Sequence, residues 1–254
     1  MSDLQALLFD VDGSLADTER DAHRPAFNRA FAEFGLDWVW DVELYGKLLA
    51  VAGGKERMRH YLAHYRPGEV APEQVGALVN TLYEIKTRHY TNTLAQGTMP
   101  LRPGVLRLIH EARAAGLRLA IVTTTSPDNV AALLQHSFAP DAESWFEVIA
   151  AGDIVPGKKP APDIYHWALQ RLNLAPEQCL AFEDSANGVR SSLAAGVPTV
   201  VTVNGYTAGE NFDGAIAVLS DLGEPDAPFA VVRGDVDDKH CVDVALLRRW
   251  MAAR

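Results

Sequence analysis

The stretch Leu7-Leu8-Phe9-Asp10-Val11-Asp12-Gly13-Ser14-Leu15-Ala16-Asp17-Thr18-Glu19 decides how the chain is read. It lies in an apolar run, Leu4 to Val11, of the kind that fills a strand buried on both faces. The run carries two carboxylates, Asp10 and Asp12, followed at once by Gly13. In an extended strand residues i and i+2 point the same way. Both acids are therefore expected to lean over one spot at the strand's carboxyl end, where open α/β sheets bind ligands. Close carboxylates repel each other. A magnesium ion would relieve that repulsion, since it takes a few carboxylates together with phosphate and water oxygens. The plain alternative is a strand running into an Asp-Gly turn.

Beyond Gly13 the pattern turns helical. Ala22, Ala26, Phe27, Ala30, Phe31 and Phe34 mark one apolar face, with Asp17 or Thr18 as its cap and Gly35 as its stop. Helices are expected at Asp41–Val51, Gly54–Tyr65 and Pro72–Leu94, with no strand between Asp17 and Leu94. From Pro103 the grammar changes. Helices opening at Pro103, Pro127, Pro162 and Ser185 alternate with strands at Leu117–Thr123, Val148–Ala151, Leu180–Phe182, Val197–Val203 and Ala215–Leu219, the last of them. Such alternation predicts an α/β fold, a Rossmann-like parallel sheet with helices on both faces. The first strand belongs to that sheet, which makes the helical block an insertion. The expected domains are a discontinuous core, residues 1–16 and 97–254, and an all-helical cap, residues 17–96. The tail from Glu224 mixes a Pro-rich stretch, an acidic Asp235–Asp238 cluster and a final helix, Val242–Ala253.

Composition narrows the partners. A formal net charge of −10 over 254 residues argues against nucleic acid and anionic membrane surfaces, though a pocket with local positive charge can still take a phosphorylated substrate. No stretch nears the roughly 20 apolar residues of a membrane span. Asp10 and Asp12 interrupt the N-terminal hydrophobic run, so a cleavable apolar leader is not expected. Cys179 and Cys241 read as idle thiols of a reducing compartment. A cytoplasmic monomer acting on a small molecule is expected.

Four strand ends carry polar groups that fall on one edge of this sheet. The first gives Asp10 and Asp12. The second gives Thr123, Thr124, Thr125 and Ser126, whose hydroxyls and N–H groups suit phosphate oxygens. The third leads to Lys158-Lys159-Pro160, and the fourth ends in Glu183-Asp184. Each alone has a plain reading: a β-branched strand with a cap, a solvated loop, ordinary helix-start charge. Their coincidence on one edge points to chemistry on a phosphate.

The segments Phe9-Asp10-Val11-Asp12-Gly13, Ile121-Val122-Thr123-Thr124, Lys159-Pro160-Ala161-Pro162-Asp163 and Phe182-Glu183-Asp184-Ser185 resemble the four motifs of the haloacid dehalogenase-like hydrolase superfamily. Its cap sits where the helical block lies here. The resemblance implies that Asp10 attacks phosphorus to form an aspartyl-phosphate, and that Asp12 protonates the leaving oxygen and then activates water. It implies that Thr123 and Lys159 bind the transferring group. Magnesium would be held by Asp10, the Asp12 main-chain carbonyl and Asp184, with Glu183 in support. Ser14 stands where threonine is common, and the hydroxyl is kept. Asp12 points to phosphate esters, since a halide leaving group needs no proton.

Residues 17–24, Asp37-Trp38-Val39-Trp40 and Gly53-Gly54-Lys55-Glu56-Arg57 further resemble the CbbY-type xylulose-1,5-bisphosphate phosphatases, over about residues 1 to 222. Those enzymes clear a misfire product of the carbon-fixing carboxylase of the Calvin cycle. By that resemblance Glu19 and His23 meet the sugar, while Gly53, Gly54, Lys55, Glu56 and Arg57, with Lys86, hold the distal phosphate. Thr124, Thr125, Ser126 and Asn129 line the rest. A sugar phosphomutase of the β-phosphoglucomutase type, or a phosphatase for another sugar phosphate, is the alternative.

Overall fold

The computed structural model describes residues 3–97 and 99–253; residues 1, 2, 98 and 254, which the expected domain limits take in, lie outside it. The apolar run from Leu4 forms β1, Ala6–Phe9, buried throughout. Its alternate side chains enter two cores. Leu7 and Phe9 join Ile121, Phe182 and Val200 on one face, and Ala6 and Leu8 join Val122, Ile164 and Leu169 on the other. A strand covered by helices on both sides requires this.

β1 pairs in parallel with β2 (Arg118–Thr123) on one side and β4 (Cys179–Glu183) on the other. Beyond them lie β3 (Val148–Ala151), β5 (Thr199–Thr202) and β6 (Ala217–Leu219), all parallel, and β7 (Val231–Arg233), antiparallel. Among the described residues the sheet runs β3-β2-β1-β4-β5-β6-β7. The strand order reverses beside β1, so the crevice of a doubly wound sheet opens at the end of that strand.

β7 corrects the expectation that strands end at Leu219. All three of its residues are exposed, so it carries no buried run or alternation that a sequence could show. The tail's helix, here Val244–Ala252, lays Leu246, Leu247 and Trp250 into the same core as Leu7.

The inserted block begins with one wide helical turn, Glu19–His23, and continues as α1 (Arg24–Phe34), α2 (Val42–Leu48), α3 (Gly54–Tyr65) and α4 (Pro72–Ala95). Pro25 is tolerated because it sits in the first turn of α1, and Gly35 ends that helix at φ 87°. Neither Asp17 nor Thr18 caps the start. Thr18 makes no side-chain capping bond, and its hydroxyl donates to Asp12 instead, at 2.6 Å. Phe27, Phe31, Trp38, Trp40, Tyr45 and Tyr61 form the block's own aromatic core, with Trp40 4.7 Å from Phe27 and 4.9 Å from Phe31. Nearer the sheet, Ala22, Ala26, Tyr90 and Leu94 join the core of β1. The outgoing and returning chains meet where Ala16 bridges Leu101 and the Arg102 N–H donates to Leu15, at 2.9 Å. Among the described residues no helix is long and apolar enough to cross a membrane.

Candidate active site

Sheet register sets the floor of the site. Phe9 stands opposite both Ile121 and Phe182, so Asp10, Thr123, Glu183 and Asp184 emerge near one level on adjacent strands. The loop after β3 brings in Lys159, which is buried. Its ammonium donates to Asp10 Oδ1 at 2.8 Å, Glu183 Oε1 at 2.6 Å and the Val122 carbonyl at 2.8 Å. Tyr165, on the helix Asp163–Leu172, also donates to Glu183 Oε1. Burial works against the charge on Lys159, but Asp10 and Glu183 outweigh it and raise its pKa.

Asp10 and Asp12 both line the cleft but hold different partners. β1 stops at Phe9, so the i, i+2 rule no longer holds where the chain turns through Gly13 at φ 83°. Asp10 faces Lys159, whereas Asp12 accepts from Thr18 at 2.6 Å and meets His23 Nε2 at 2.8 Å. Lys86 lies 2.5 Å from the other ring nitrogen, and the ring stacks on Tyr90 at 4.3 Å. An ammonium at Lys86 donates to Nδ1, which leaves Nε2–H to donate to Asp12. The two carboxyls differ accordingly. Burial lifts Asp10 to about 7; Lys159 opposes this, and Glu183 and Asp12 add to it. Burial also lifts Asp12, but the hydrogen bonds of His23 and Thr18 and the charge of Lys86 outweigh it and hold the carboxyl well below the usual range. Burial lowers Lys86 to about 8 against the pull of Asp12 and Glu19.

The donor set fits a hard divalent cation. Oxygens of Asp10, Glu183 and Asp184 lie within 4.8 Å of one another, all three residues buried. Burial, with Asp10 and Glu183 beside it, holds the Asp184 carboxyl well above the ordinary range. Glu183 Oε2 has no hydrogen-bond partner among the described residues. A Cβ at Gly13 would sit 2.2 Å from Asp184 Oδ2, and one at Gly188 only 1.7 Å from Glu183 Oε2, so glycine is required at both places. Three acids crowd together, only Asp10 and Glu183 bond the lysine, and an orphaned oxygen remains. An all-oxygen set of this kind suits magnesium.

Floor and helical block face each other across a cleft lined among others by Asp10, Asp12, Thr123, Lys159, Glu19 and Arg57. An adjoining recess is lined by His23, Gly53, Gly54, Lys86, Thr124 and Thr125. Lys55 and Ser126 line a third opening beside Lys158. Two expected site residues are elsewhere. The Glu56 carboxylate pairs with Lys158 at 3.0 Å and Arg59 at 3.7 Å, and lines none of these openings. Asn129 is buried and lies 3.4 Å from the Thr125 hydroxyl, behind the wall.

Several participants were missed in the sequence. Thr18 and Tyr45 reach Asp12 and Glu19 from helical segments whose packing no local pattern announces. Asn204 was findable: it follows β5, a fifth strand end, and donates to Asp184 Oδ2 at 2.7 Å. Arg102, at the returning crossing, donates to the carbonyls of Gly13, Val203 and Ser220 and so ties the turn after Asp12 to the sheet.

The chain matches the haloacid dehalogenase-like hydrolase family over residues 4–196. The plasmid CbbY protein of Cupriavidus necator is 50% identical over 248 residues, 97% of this chain and 96% of that one. The crystal structure of CbbY from Rhodobacter sphaeroides in complex with phosphate superposes with a TM-score of 0.80 at 46% identity, covering 86% of this chain and 94% of that one. A mutant of the same protein, in complex with xylulose-(1,5)bisphosphate, gives 0.80 at 45% identity, over 88% and 98%. With carboxylates, lysine and threonine gathered at the ends of three adjacent strands and a helical insertion above them, the chain belongs to the haloacid dehalogenase-like hydrolase family.

Proposed function

We propose that this chain, a phosphoric monoester hydrolase of that family, is a magnesium-dependent phosphatase that converts xylulose-1,5-bisphosphate to xylulose 5-phosphate. The observation that carries the reading is the two-sided cleft. Its floor presents Asp10 and Lys159, and its roof presents Glu19, Arg57 and Lys86 from the helical block. A bisphosphate has a phosphoryl group for the one and a second dianion for the other. The likeness to a protein solved with xylulose-(1,5)bisphosphate supports this choice of sugar.

In this reading an Asp10 oxygen attacks phosphorus, and Lys159 and Thr123 hold the phosphoryl oxygens. Phosphoryl transfer depends mainly on such positioning and charge neutralisation. Asp10, Asp184 and the Asp12 main-chain carbonyl would hold magnesium, with Glu183 in support. When bound, the ion supplies positive charge to the transferring phosphoryl oxygens. Asp12 gives a proton to the leaving oxygen and later takes one from water. Its low pKa leaves the carboxylate ionised but weakly basic, and the negative charge of an arriving substrate raises it toward both roles.

Residues 17–96 act as the cap over a core of residues 1–16 and 97–254, closing to exclude water. The present arrangement is held across the cleft by Lys158 to Glu56 at 3.0 Å, Asn187 to the Ala50 carbonyl at 3.2 Å, and Tyr45 against Tyr206 at 5.9 Å. The protein works as a cytoplasmic monomer on a small soluble substrate, with Cys179 and Cys241 as free thiols.

The test is incubation with xylulose-1,5-bisphosphate and, separately, β-glucose 1-phosphate, each with magnesium. Inorganic phosphate and xylulose 5-phosphate from the first, with no isomer from the second, supports the proposal. Isomerisation of the second with no phosphate from the first makes the protein a mutase.

A further inference from the structure

Tyr45 lies in α2, wholly buried, behind the wall of the cleft rather than on it. Its hydroxyl donates to Glu19 Oε2 and accepts from Arg57 Nη1 at 2.9 Å. The Arg57 guanidinium lies over its ring, 5.1 Å from the centroid. The direct approach of Arg57 Nη2 to Glu19 Oε1 is 3.6 Å, too long for a hydrogen bond. One phenol thus joins a carboxylate and a guanidinium that do not bond each other. Phe27, Trp40 and Tyr206 surround the ring at 6.2, 5.8 and 5.9 Å, so its place is set by packing. Burial, and then the charge of Glu19, keep the hydroxyl protonated at any working pH. Arg57 Nε is taken by the Leu48 carbonyl at 3.3 Å. That leaves Glu19 Oε1 and Arg57 Nη2 as the unbonded pair, and both residues line the cleft.

A ligand that satisfies both atoms carries a hydroxyl to donate and an anion to accept, a short distance apart. The phosphate end of a sugar bisphosphate has that chemistry. We propose that Tyr45 is a specificity-setting positioning residue, fixing Glu19 and Arg57 through one hydroxyl as a unit that reads a hydroxyl and a phosphate together. This rests on the reading of the cleft as a sugar-phosphate site. Without the hydroxyl, Arg57 can fold directly onto Glu19, and each then occupies the other instead of the substrate.

The experiment compares Tyr45→Phe, Arg57→Gln and the double variant of the full chain. Each is assayed with xylulose-1,5-bisphosphate and with p-nitrophenyl phosphate, which has neither the sugar hydroxyls nor the second phosphate. Hydrogen bonds to charged groups are worth enough that Tyr45→Phe should raise KM for the bisphosphate about 10-fold and lower the ratio of the two kcat/KM values by a similar factor. In the Arg57→Gln background the same change should lower that ratio by no more than about threefold, because it acts largely through Arg57. A proportional loss on both substrates, with a lowered melting midpoint, marks Tyr45 as packing only and overturns the proposal. So does a double variant equal to the product of the two singles. Should the wild type prefer another sugar phosphate, the substrate assignment fails by itself. The same ratio is then read with that ester, and its constancy in Tyr45→Phe overturns the role of Tyr45.

Discussion

The floor and the roof of the cleft hold their charges by different means. On the floor, three buried acids face one lysine, and the backbone register of β1, β2 and β4 sets where they stand. The arrangement is short of positive charge, and the raised carboxyls of Asp10 and Asp184 express that shortage. On the roof each of the charged groups facing the cleft already has a partner: Glu19 and Arg57 with Tyr45, and Lys86 with His23, which in turn holds Asp12. Those partners come from separate helical segments and are placed by side-chain packing. A floor fixed by a sheet is prepared for one chemistry, while a roof built from exchangeable pairs is suited to selecting a substrate.

Changes on the floor should cost most. Asp10→Asn removes the attacking oxygen's charge, and phosphate release should fall by roughly 10⁴-fold or more. Circular dichroism should show the fold intact, since the change also removes one of three crowded charges. Full activity in that variant would contradict the nucleophile assignment. Lys159→Met should lower kcat by about 10²- to 10³-fold, as loss of a charge-stabilising donor does. It should also destabilise the metal-free protein by about 3–5 kcal/mol in a denaturant titration, because Asp10 and Glu183 stay buried without their cation.

His23→Ala tests the seam between the two regions. Asp12 loses its 2.8 Å partner, and misplacing a catalytic group by about 1 Å can cost about 10²-fold. We expect kcat for the sugar ester to fall by about that factor; an effect confined to KM would move His23 from the chemistry to the roof.

Metal binding should show the floor's charge deficit in its pH dependence. Between its ordinary 3.8 and about 7, Asp10 is protonated in the folded chain and ionised in the unfolded one. Metal-free stability should therefore fall as pH rises through that window. Asp12 acts oppositely, its contribution being lost as pH drops below the usual carboxylate range. Magnesium must displace the Asp10 proton, so the gain in melting midpoint on adding it should be larger at pH 8 than at pH 5.5. Equal gains would mean that these acids are not the metal's ligands. The smallest effect expected is that of Lys158→Met. Its partner carboxylates Glu56 and Asp153 are substantially exposed, and such pairs contribute about 0–1 kcal/mol to stability.

This contrast also explains what could be read from the sequence. The strand ends are legible because an apolar run followed by Asp10, Thr123 or Glu183 fixes both the strand and the edge it reaches. The roof was legible only as composition. Gly53 to Arg57 was found as a cluster, yet Glu56 points to Lys158 and only part of the cluster lines the cleft. Tyr45 lies in the expected helix Asp41–Val51 with nothing local to mark it, and its hydroxyl's partners come from residues 19 and 57, far off in sequence. Thr18 shows the same limit, since a residue that reads as a helix cap donates its hydroxyl to Asp12 and makes no side-chain capping bond. β7 left no trace because nothing in it is buried.

The central claim is that one floor does the chemistry while the roof demands a second phosphate. It is tested most directly by kcat/KM of the unmodified protein for xylulose-1,5-bisphosphate against xylulose 5-phosphate, the same sugar with one phosphate fewer. Two or three charge-assisted hydrogen bonds to the distal group predict a preference of about 10³-fold or more for the bisphosphate, with release stopping after one equivalent of phosphate. Comparable kcat/KM values for the two esters, or release of both phosphates, would contradict it.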